Sequence, residues 1–343
     1  MIKSLTSLRG IFILFIFLHH AGVYAGGGSM AVAFFFILSG FSMTLGYKDR
    51  VLKPEFSYKQ YITRRCIKFY PLHWITLIAD IPYVLMGVVN WWFIPLFFVN
   101  AALLQTLVPI QKVYFSFNAV SWFLADIMFF AVLFPFVLKT IMTASKKTLG
   151  AITVVMIVCY LFVLTFPVKL WHPLLYVNPI FRFYDFVFGI LLALWCNKVN
   201  DLQRVGPFKL EGWGSLLLIC LLISLLVLES VFMNKKIQLI APLYWPLIAI
   251  LIIVAAVAKP NSLRIMENKV LLWLGECSFV IFLVHRLVIR YTEKLIQIDD
   301  KTLFVLFTLS LTLLSSFIVD KYILNPITQW LTKRIQPSMT AQS

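Results

Sequence analysis

Charge is scarce in this chain, and negative charge is scarcest. Of 343 residues only 13% are charged, 14 Asp and Glu against 30 Lys and Arg. A soluble domain carries about 25% charged residues, so an ordinary soluble globule is excluded, and so is a disordered chain. Cysteine is sparse as well. Cys66, Cys159, Cys196, Cys220 and Cys277 are scattered, mostly within apolar stretches, and none belongs to a CxxC pair. That excludes a disulfide scaffold and a cysteine metal site, and leaves small buried side chains. No internal repeat is visible. The longest interval between apolar runs is residues 48–70, too short for an inserted soluble domain.

What fills the chain is hydrocarbon. Hydrophobic residues make up 61% of it and the mean hydropathy is +0.92. A helix needs about 20 apolar residues to cross a bilayer. Ten stretches meet that need: 6–25, 31–47, 71–89, 119–138, 149–166, 178–196, 213–232, 240–258, 270–291 and 302–323. An eleventh, 91–108, is short and contains Pro95. The expected fold is all-α: a polytopic integral membrane protein of about ten transmembrane helices, in one domain over 1–335 with a cytoplasmic tail at 336–343.

The net charge of +16 sets the orientation. Basic residues gather on the cytoplasmic side of membrane proteins. Loop 48–70 holds Lys48, Arg50, Lys53, Lys59, Arg64, Arg65 and Lys68. If 91–108 is interfacial or re-entrant, loops with Lys139, Lys146 and Lys147, with Lys198, Arg204 and Lys209, and with Lys259, Arg264 and Lys269 fall on that same side. So do Lys3, Arg9, Lys321, Lys333 and Arg334, which places 21 of the 30 basic residues inside. If 91–108 crosses, the bias nearly vanishes. Ten spans with both termini cytoplasmic follow. The N-terminal run with Val23-Tyr24-Ala25 has the outline of a signal peptide, but Arg9, His19 and His20 have no use in one.

Ionisable groups inside a membrane are costly and mark function by default. Arg9 and His20 lie on span 1, eleven residues and so about 16 Å apart along one helix face. His19 points about 100° away. Arg182 and Asp185 are neighbours on span 6, three apart. They form either a self-neutralising pair or an arginine aimed into the cavity that holds His20. Asp126 on span 4 needs a partner, with Arg182 and His20 as candidates. His285 and Arg286 lie near the outer end of span 9, and His73 and His172 lie at span edges. In the ten-span arrangement His20, Asp126, Arg182, Asp185 and His285 share the outer half of the bilayer, while Arg9 and loop 48–70 lie at the inner face. This describes a polyanion-binding mouth facing the cytoplasm and a polar pocket reached from outside.

Five segments in series resemble the acyltransferase-3 family of polytopic membrane proteins. SLTSLRGIFILFIFLHHAG is similar to its first helix, an arginine-glycine followed by a histidine, here Arg9 and His20. AFFFILSGF (33–41) resembles its second-helix signature. RRCIKFYPLHW (64–74) resembles its basic start to helix three. FRFYDFVFGILL (181–192) resembles its R-x-x-E/D-F-x-x-G helix, and LGECSFVIFLVH (274–285) its LG-x-x-S helix. SWFLADIMFF departs from the family's fourth-span pattern, since Asp126 is one position early and one carbon shorter than the usual glutamate.

The resemblance implies a stand-alone enzyme without a soluble domain, in the cell membrane. It would move an acyl group, acetyl in the first instance, from acetyl-CoA or another acyl-CoA to a hydroxyl of a cell-surface carbohydrate or other envelope glycoconjugate. No metal and no nucleic acid are expected. His20 is the candidate base, suited by an imidazole pKa near 6.5, or it is an acyl relay. Asp126 would orient the imidazole, Arg182 with Asp185 would polarise the thioester carbonyl or hold the acceptor, and Arg9, Arg64, Arg65 and Lys68 would bind coenzyme A phosphates. A secondary transporter or flippase for an envelope glycan precursor is the alternative, because intramembrane charges also mark transport paths.

Overall fold

In a computed structural model the chain is helical, and residues 2–24, 26–86, 91–203, 213–257 and 260–340 are described; among them there is no strand. The helices are α1 (Lys3–His20), α2 (Gly27–Tyr47), α3 (Tyr58–Leu85), α4 (Phe93–Ala101), α5 (Gln111–Tyr114), α6 (Ser121–Thr143), α7 (Lys146–Leu164), α8 (Pro179–Gln203), α9 (Trp213–Phe232), α10 (Trp245–Val257), α11 (Lys269–Glu276), α12 (Ser278–Leu295), α13 (Lys301–Ile318) and α14 (Asn325–Thr340). Side-chain caps start five of them: Ser57 at α3, Ser145 at α7, Asn178 at α8, Asn268 at α11 and Asp300 at α13. Each accepts an N–H that the first turn leaves unbonded.

Six described helical segments are long and apolar enough to cross a membrane: Gly27–Tyr47, Ser121–Thr143, Lys146–Leu164, Pro179–Cys196, Trp213–Phe232 and Lys301–Ile335. The stretch expected as one span at 270–291 is interrupted at Cys277, where α11 ends. In 91–108 the helix is α4, nine residues. At 1.5 Å per residue it reaches about 14 Å, short of a hydrocarbon core of about 30 Å. The interval 48–70, expected as a loop, is helical from Tyr58 on, because Ser57 caps α3 there. Arg204, Lys209, Lys259, Ala25 and the ends of the expected spans at 87–89 and 258 lie outside the described residues.

The chain divides into two compact units. The first comprises residues 1–53 and 136–278. Two helix crossings organise it, and each rests on a pair of glycines. A Cβ on Gly40 of α2 would strike the carbonyl of Phe186 on α8, and a Cβ on Gly189 of α8 would strike the carbonyl of Ile37 on α2. Likewise a Cβ on Gly10 of α1 would sit 2.8 Å from the Leu271 carbonyl of α11, and one on Gly275 would strike the Thr6 carbonyl of α1. Small residues let membrane helices approach backbone to backbone, where packing rather than water expulsion holds them. Beside these crossings Phe12 stacks on Phe34 at 3.7 Å, and the hydroxyls of Ser4 and Ser7 donate to the carbonyls of Ala255 and Met266. On α9 a stripe of Ser215, Ile219, Leu222, Leu226 and Ser230 is buried, while Leu217, Leu221, Leu225 and Leu228 are exposed. Helix α7 buries little besides Tyr160 and Val163 and leaves the rest of its apolar surface open, as a lipid-facing helix does.

The second unit comprises residues 54–135 and 279–343. At two of its helical prolines a tyrosine hydroxyl enters the backbone hydrogen bonding. Pro135 has no N–H for the carbonyl four residues back, Ala131, and the Tyr61 hydroxyl donates to that carbonyl at 2.8 Å. Near Pro82 of α3, the Tyr291 hydroxyl donates to Ala79 O at 2.8 Å and accepts from Tyr83 N at 3.2 Å, so it is inserted into the helical ladder. The short α4 is tolerated because α3 satisfies the carbonyls at its end: His73 Nε2–H, Trp74 Nε1–H and the Tyr70 hydroxyl donate to Asn100, Ala101 and Ala102. His73, expected at a span edge, is thus a buried capping group.

Gly189→Ala and Gly10→Ala place a methyl against backbone that cannot step aside, and each lowers stability by about 1–3 kcal/mol or more. Gly150 of α7 has no atom within 4 Å of a built Cβ, so Gly150→Ala stabilises by roughly 0.5–1 kcal/mol through helix propensity. Thermal unfolding in detergent micelles checks the opposite signs; equal shifts would refute the close crossings.

Candidate active site

Helix α1 carries both residues singled out on span 1. Gly10 draws α1 onto α11, and its neighbour Arg9, half-buried, comes within electrostatic range of Glu276 at the end of α11. Glu276 went unnoticed in the sequence because nothing in the spacing links it to a residue so distant. His20 is the last residue of α1 and is half-buried. Its Nδ1–H donates to Ile16 O at 3.0 Å. With the proton on Nδ1, a neutral imidazole presents Nε2 as its basic nitrogen. His19 is turned elsewhere: its Nδ1–H donates to Tyr24 O at 3.2 Å and its ring lies against Gly28 of α2.

Arg182 and Asp185 meet as expected on α8, with Nη1 2.9 Å from Oδ2 and both side chains about 1% exposed. The pair is held from two further sides. Arg182 Nε–H donates to Tyr176 O at 2.8 Å, and the guanidinium lies 4.8 Å from the Tyr176 ring and 5.7 Å from that of Phe36. Trp245 Nε1–H donates to Asp185 Oδ1 at 2.6 Å. Both carboxylate oxygens are therefore engaged, which is what makes such burial bearable. The ion pair that the three-residue spacing allows is formed. His172 lies in the six-residue π-helical turn before α8, half-buried, with its ring 5.1 Å from that of Tyr176. Burial, and then the Arg182 guanidinium, hold its imidazole below the ordinary value, so it stays neutral at pH 7.

The remaining candidates belong to the second unit. Asp126 is fully buried on α6. Arg64, Arg65 and Lys68 stand on α3, within an arc of about 100° at helical spacing. Arg64 and Lys68 are exposed, and Arg65 is half-buried with its guanidinium 5.2 Å from the Tyr61 ring. Three cations on one helix, two of them exposed, suit a polyanion. His285 is fully buried and its Nδ1–H donates to Ile281 O at 3.1 Å.

One ionic site was not expected. Asp80 on α3 is fully buried, and Arg290 Nη1 of α12 lies 3.1 Å from each of its carboxylate oxygens and 2.9 Å from Phe117 O. The Arg290 guanidinium also covers the Tyr83 ring at 3.9 Å. This clamp ties three segments of the unit together, one of them at Phe117, whose φ is 55°. A lone aspartate in the apolar run TLIADIPYVL was the available signal.

Removing one partner of a buried pair leaves an uncompensated charge. Arg182→Met and Asp185→Asn each therefore lower stability by about 3–5 kcal/mol. The double variant loses less than the sum of the two. A double-mutant cycle by thermal unfolding measures this, and strictly additive losses would mean the charges act apart.

Comparison with known proteins sets these residues in context. Residues 2–321 match the acyltransferase domain family, acyltransferase-3. The acyltransferase MdmB of Streptomyces mycarofaciens is 29% identical over 298 residues, covering 78% of this chain and 70% of that protein. A Staphylococcus aureus (strain COL) protein named "Putative O-acetyltransferase SACOL0978" is 26% identical over 357 residues, covering 95% of this chain. A second, from strain MSSA476, is named "Putative O-acetyltransferase SAS0844" and is 25% identical over 355 residues, covering 94% of this chain. This chain spans 57% and 56% of the lengths of those two relatives. No solved structure matches the chain. With a family match running from residue 2 to residue 321, the chain belongs to the acyltransferase-3 family and is an acyltransferase of a class that moves groups other than amino-acyl groups.

Proposed function

We propose that this protein is an O-acetyltransferase of the cell membrane, moving the acetyl group of acetyl-CoA to a hydroxyl of an envelope carbohydrate or glycoconjugate. Its chain crosses the bilayer ten times with both termini in the cytoplasm. The observation that carries the reading is His20: a half-buried imidazole at the end of α1, with its Nδ1–H donated to Ile16 O.

In the reaction the acceptor hydroxyl gives its proton to His20 Nε2 as its oxygen bonds to the thioester carbonyl carbon. The tetrahedral adduct then collapses, the C–S bond breaks, and the coenzyme A thiolate takes the proton from the imidazolium. Products are the acetyl ester and free coenzyme A. The C-terminal end of α1 favours the charged imidazole, since a helix C-terminus stabilises a nearby cation by about 0.3–1 kcal/mol. Arg64, Arg65 and Lys68 receive the coenzyme A phosphates from the cytoplasm. Arg182, committed through Nε to Tyr176 and through Nη1 to Asp185, is a positioning residue: it fixes the start of α8 and offers its remaining N–H groups to the acceptor.

His20→Ala lowers acetyl transfer by about 10²–10⁴-fold with unchanged membrane insertion, and His19→Ala retains activity. Radiolabelled acetyl-CoA supplied to membranes containing each variant, with coenzyme A release followed in parallel, measures this. Wild-type rates in His20→Ala would remove that residue from the chemistry; substrate translocation by the wild type without coenzyme A release would overturn the whole reading.

A further inference from the structure

One cavity in the first unit has no part in the chemistry just described. It lies between the second half of α6, α7, α8 and the start of α10, and its volume is about 750 Å³. That is within the range of ligand pockets, about 300–1,000 Å³. Its walls include Thr153, Ile157 and Leu161 of α7, Val187 and Leu191 of α8, and Trp245 of α10. None of the described residues lining it is charged, and the only side-chain hydroxyls are those of two threonines and two tyrosines. Neither coenzyme A nor a sugar fits such a lining, because their polar groups would lose water without recompense.

Three observations identify the occupant. First, Ile152, Ile157 and Leu161 of α7 line the cavity and are also exposed, so the cavity opens at the apolar surface of α7. The cavity thus continues into the face that the bilayer covers, and what enters from there is a hydrocarbon chain. Second, the cavity runs along α8 from Phe183 to Leu191, about 12 Å at 1.5 Å per residue. One end of it is level with Arg182 and Asp185. Third, Trp245 belongs to the cavity wall, stacks on Phe188 at 4.6 Å and donates its N–H to Asp185. A chain lying in the cavity therefore rests on the side chain that holds the buried ion pair. An acetyl group is only two carbons and has no use for this volume, so the chain belongs to the other substrate.

We propose that the cavity is an anchor site for the hydrocarbon tail of a lipid-linked hydroxyl acceptor, with the tail along α7 and α8 and the hydroxyl-bearing head at the level of Arg182. This rests on the reading of the protein as an O-acetyltransferase and narrows its acceptor to the membrane-anchored class. Acceptor then arrives laterally through the bilayer, and donor arrives from the cytoplasm.

The full chain is reconstituted in phosphatidylethanolamine–phosphatidylglycerol vesicles with a hexadecyl glucoside that carries a diazirine in its tail, without any acyl donor. Irradiation and peptide mapping place the label on α7 and on residues 183–191. Leu161→Trp and Val187→Trp fill the cavity and lower that label about tenfold, the equivalent of roughly 1.4 kcal/mol of binding. Val158→Trp, on an exposed position of α7 outside the lining, leaves it unchanged. Label spread evenly over the exposed faces of α9 and α13, or undiminished in the filled variants, overturns the proposal. A diazirine phosphatidylcholine that labels these peptides as strongly makes the cavity a general lipid slot, and a diazirine palmitoyl-CoA that labels them in place of the glucoside assigns it to the donor; either result also overturns it. Because labelling needs no turnover, an enzyme inactive with acetyl-CoA would sink the transfer reading and leave this measurement standing.

Discussion

Backbone-to-backbone contact at two glycine pairs holds the first unit in register. In a bilayer, burying leucine against leucine gains little, since lipid tails are as apolar as the side chains. Helices must instead fit closely. Gly40 with Gly189 and Gly10 with Gly275 let α2 meet α8 and α1 meet α11 with no side chain between them. The placement of the neighbouring charged side chains depends on these contacts. Gly10 follows Arg9, so the crossing that seats Gly10 also brings Arg9 to Glu276. Gly189 lies one helical turn beyond Asp185, and the Phe186 carbonyl that faces Gly40 belongs to the residue after it. The depth and rotation of the buried ion pair are therefore set by how nearly α8 touches α2.

The same account explains the motifs. Glycines in the segments resembling family signatures, in LRG, LSGF, DFVFG and LGECS, read as punctuation in a linear sequence. In the fold they are two crossings, each made by glycines far apart in the chain. Packing alone gives reason for these residues, while the charged neighbours Arg9, Asp185 and Glu276 sit where the crossings deliver them. A motif of this kind holds one residue for geometry and the next for charge.

The helical nature of the fold, and most helix positions, were legible from apolar run length, because a bilayer leaves the backbone few alternatives. Pro95 and charge bias point to an interfacial or re-entrant 91–108, and the helix there, α4, is nine residues long. The extension of α3 back to Tyr58 was hidden by its basic residues, which look like a loop until the Ser57 cap is recognised. At the site, Arg182 and Asp185 were legible as a pair because they are three residues apart on one helix. Asp80 and Arg290 were not, since 210 residues separate them and no local pattern joins them. Trp245 was missed for a related reason: a tryptophan in an apolar run looks like a lipid-facing ring, and only the fold shows its N–H on Asp185.

The buried charges thus divide by how fully they are committed. Asp185 and Asp80 have both oxygens engaged by donors, and the arginines opposite them also serve backbone carbonyls. Groups so engaged resist change, because moving a proton or a partner at such a site would strand the other charge. They suit architecture. His20 is built differently. Its Nδ1–H donates to Ile16 O of its own helix, which orients the ring on the last turn of α1. A general base must change protonation state in every cycle, so it belongs at a helix end that tolerates both states rather than inside a saturated ion pair. The base proposed above, His20, stands at such an end, since α1 terminates there.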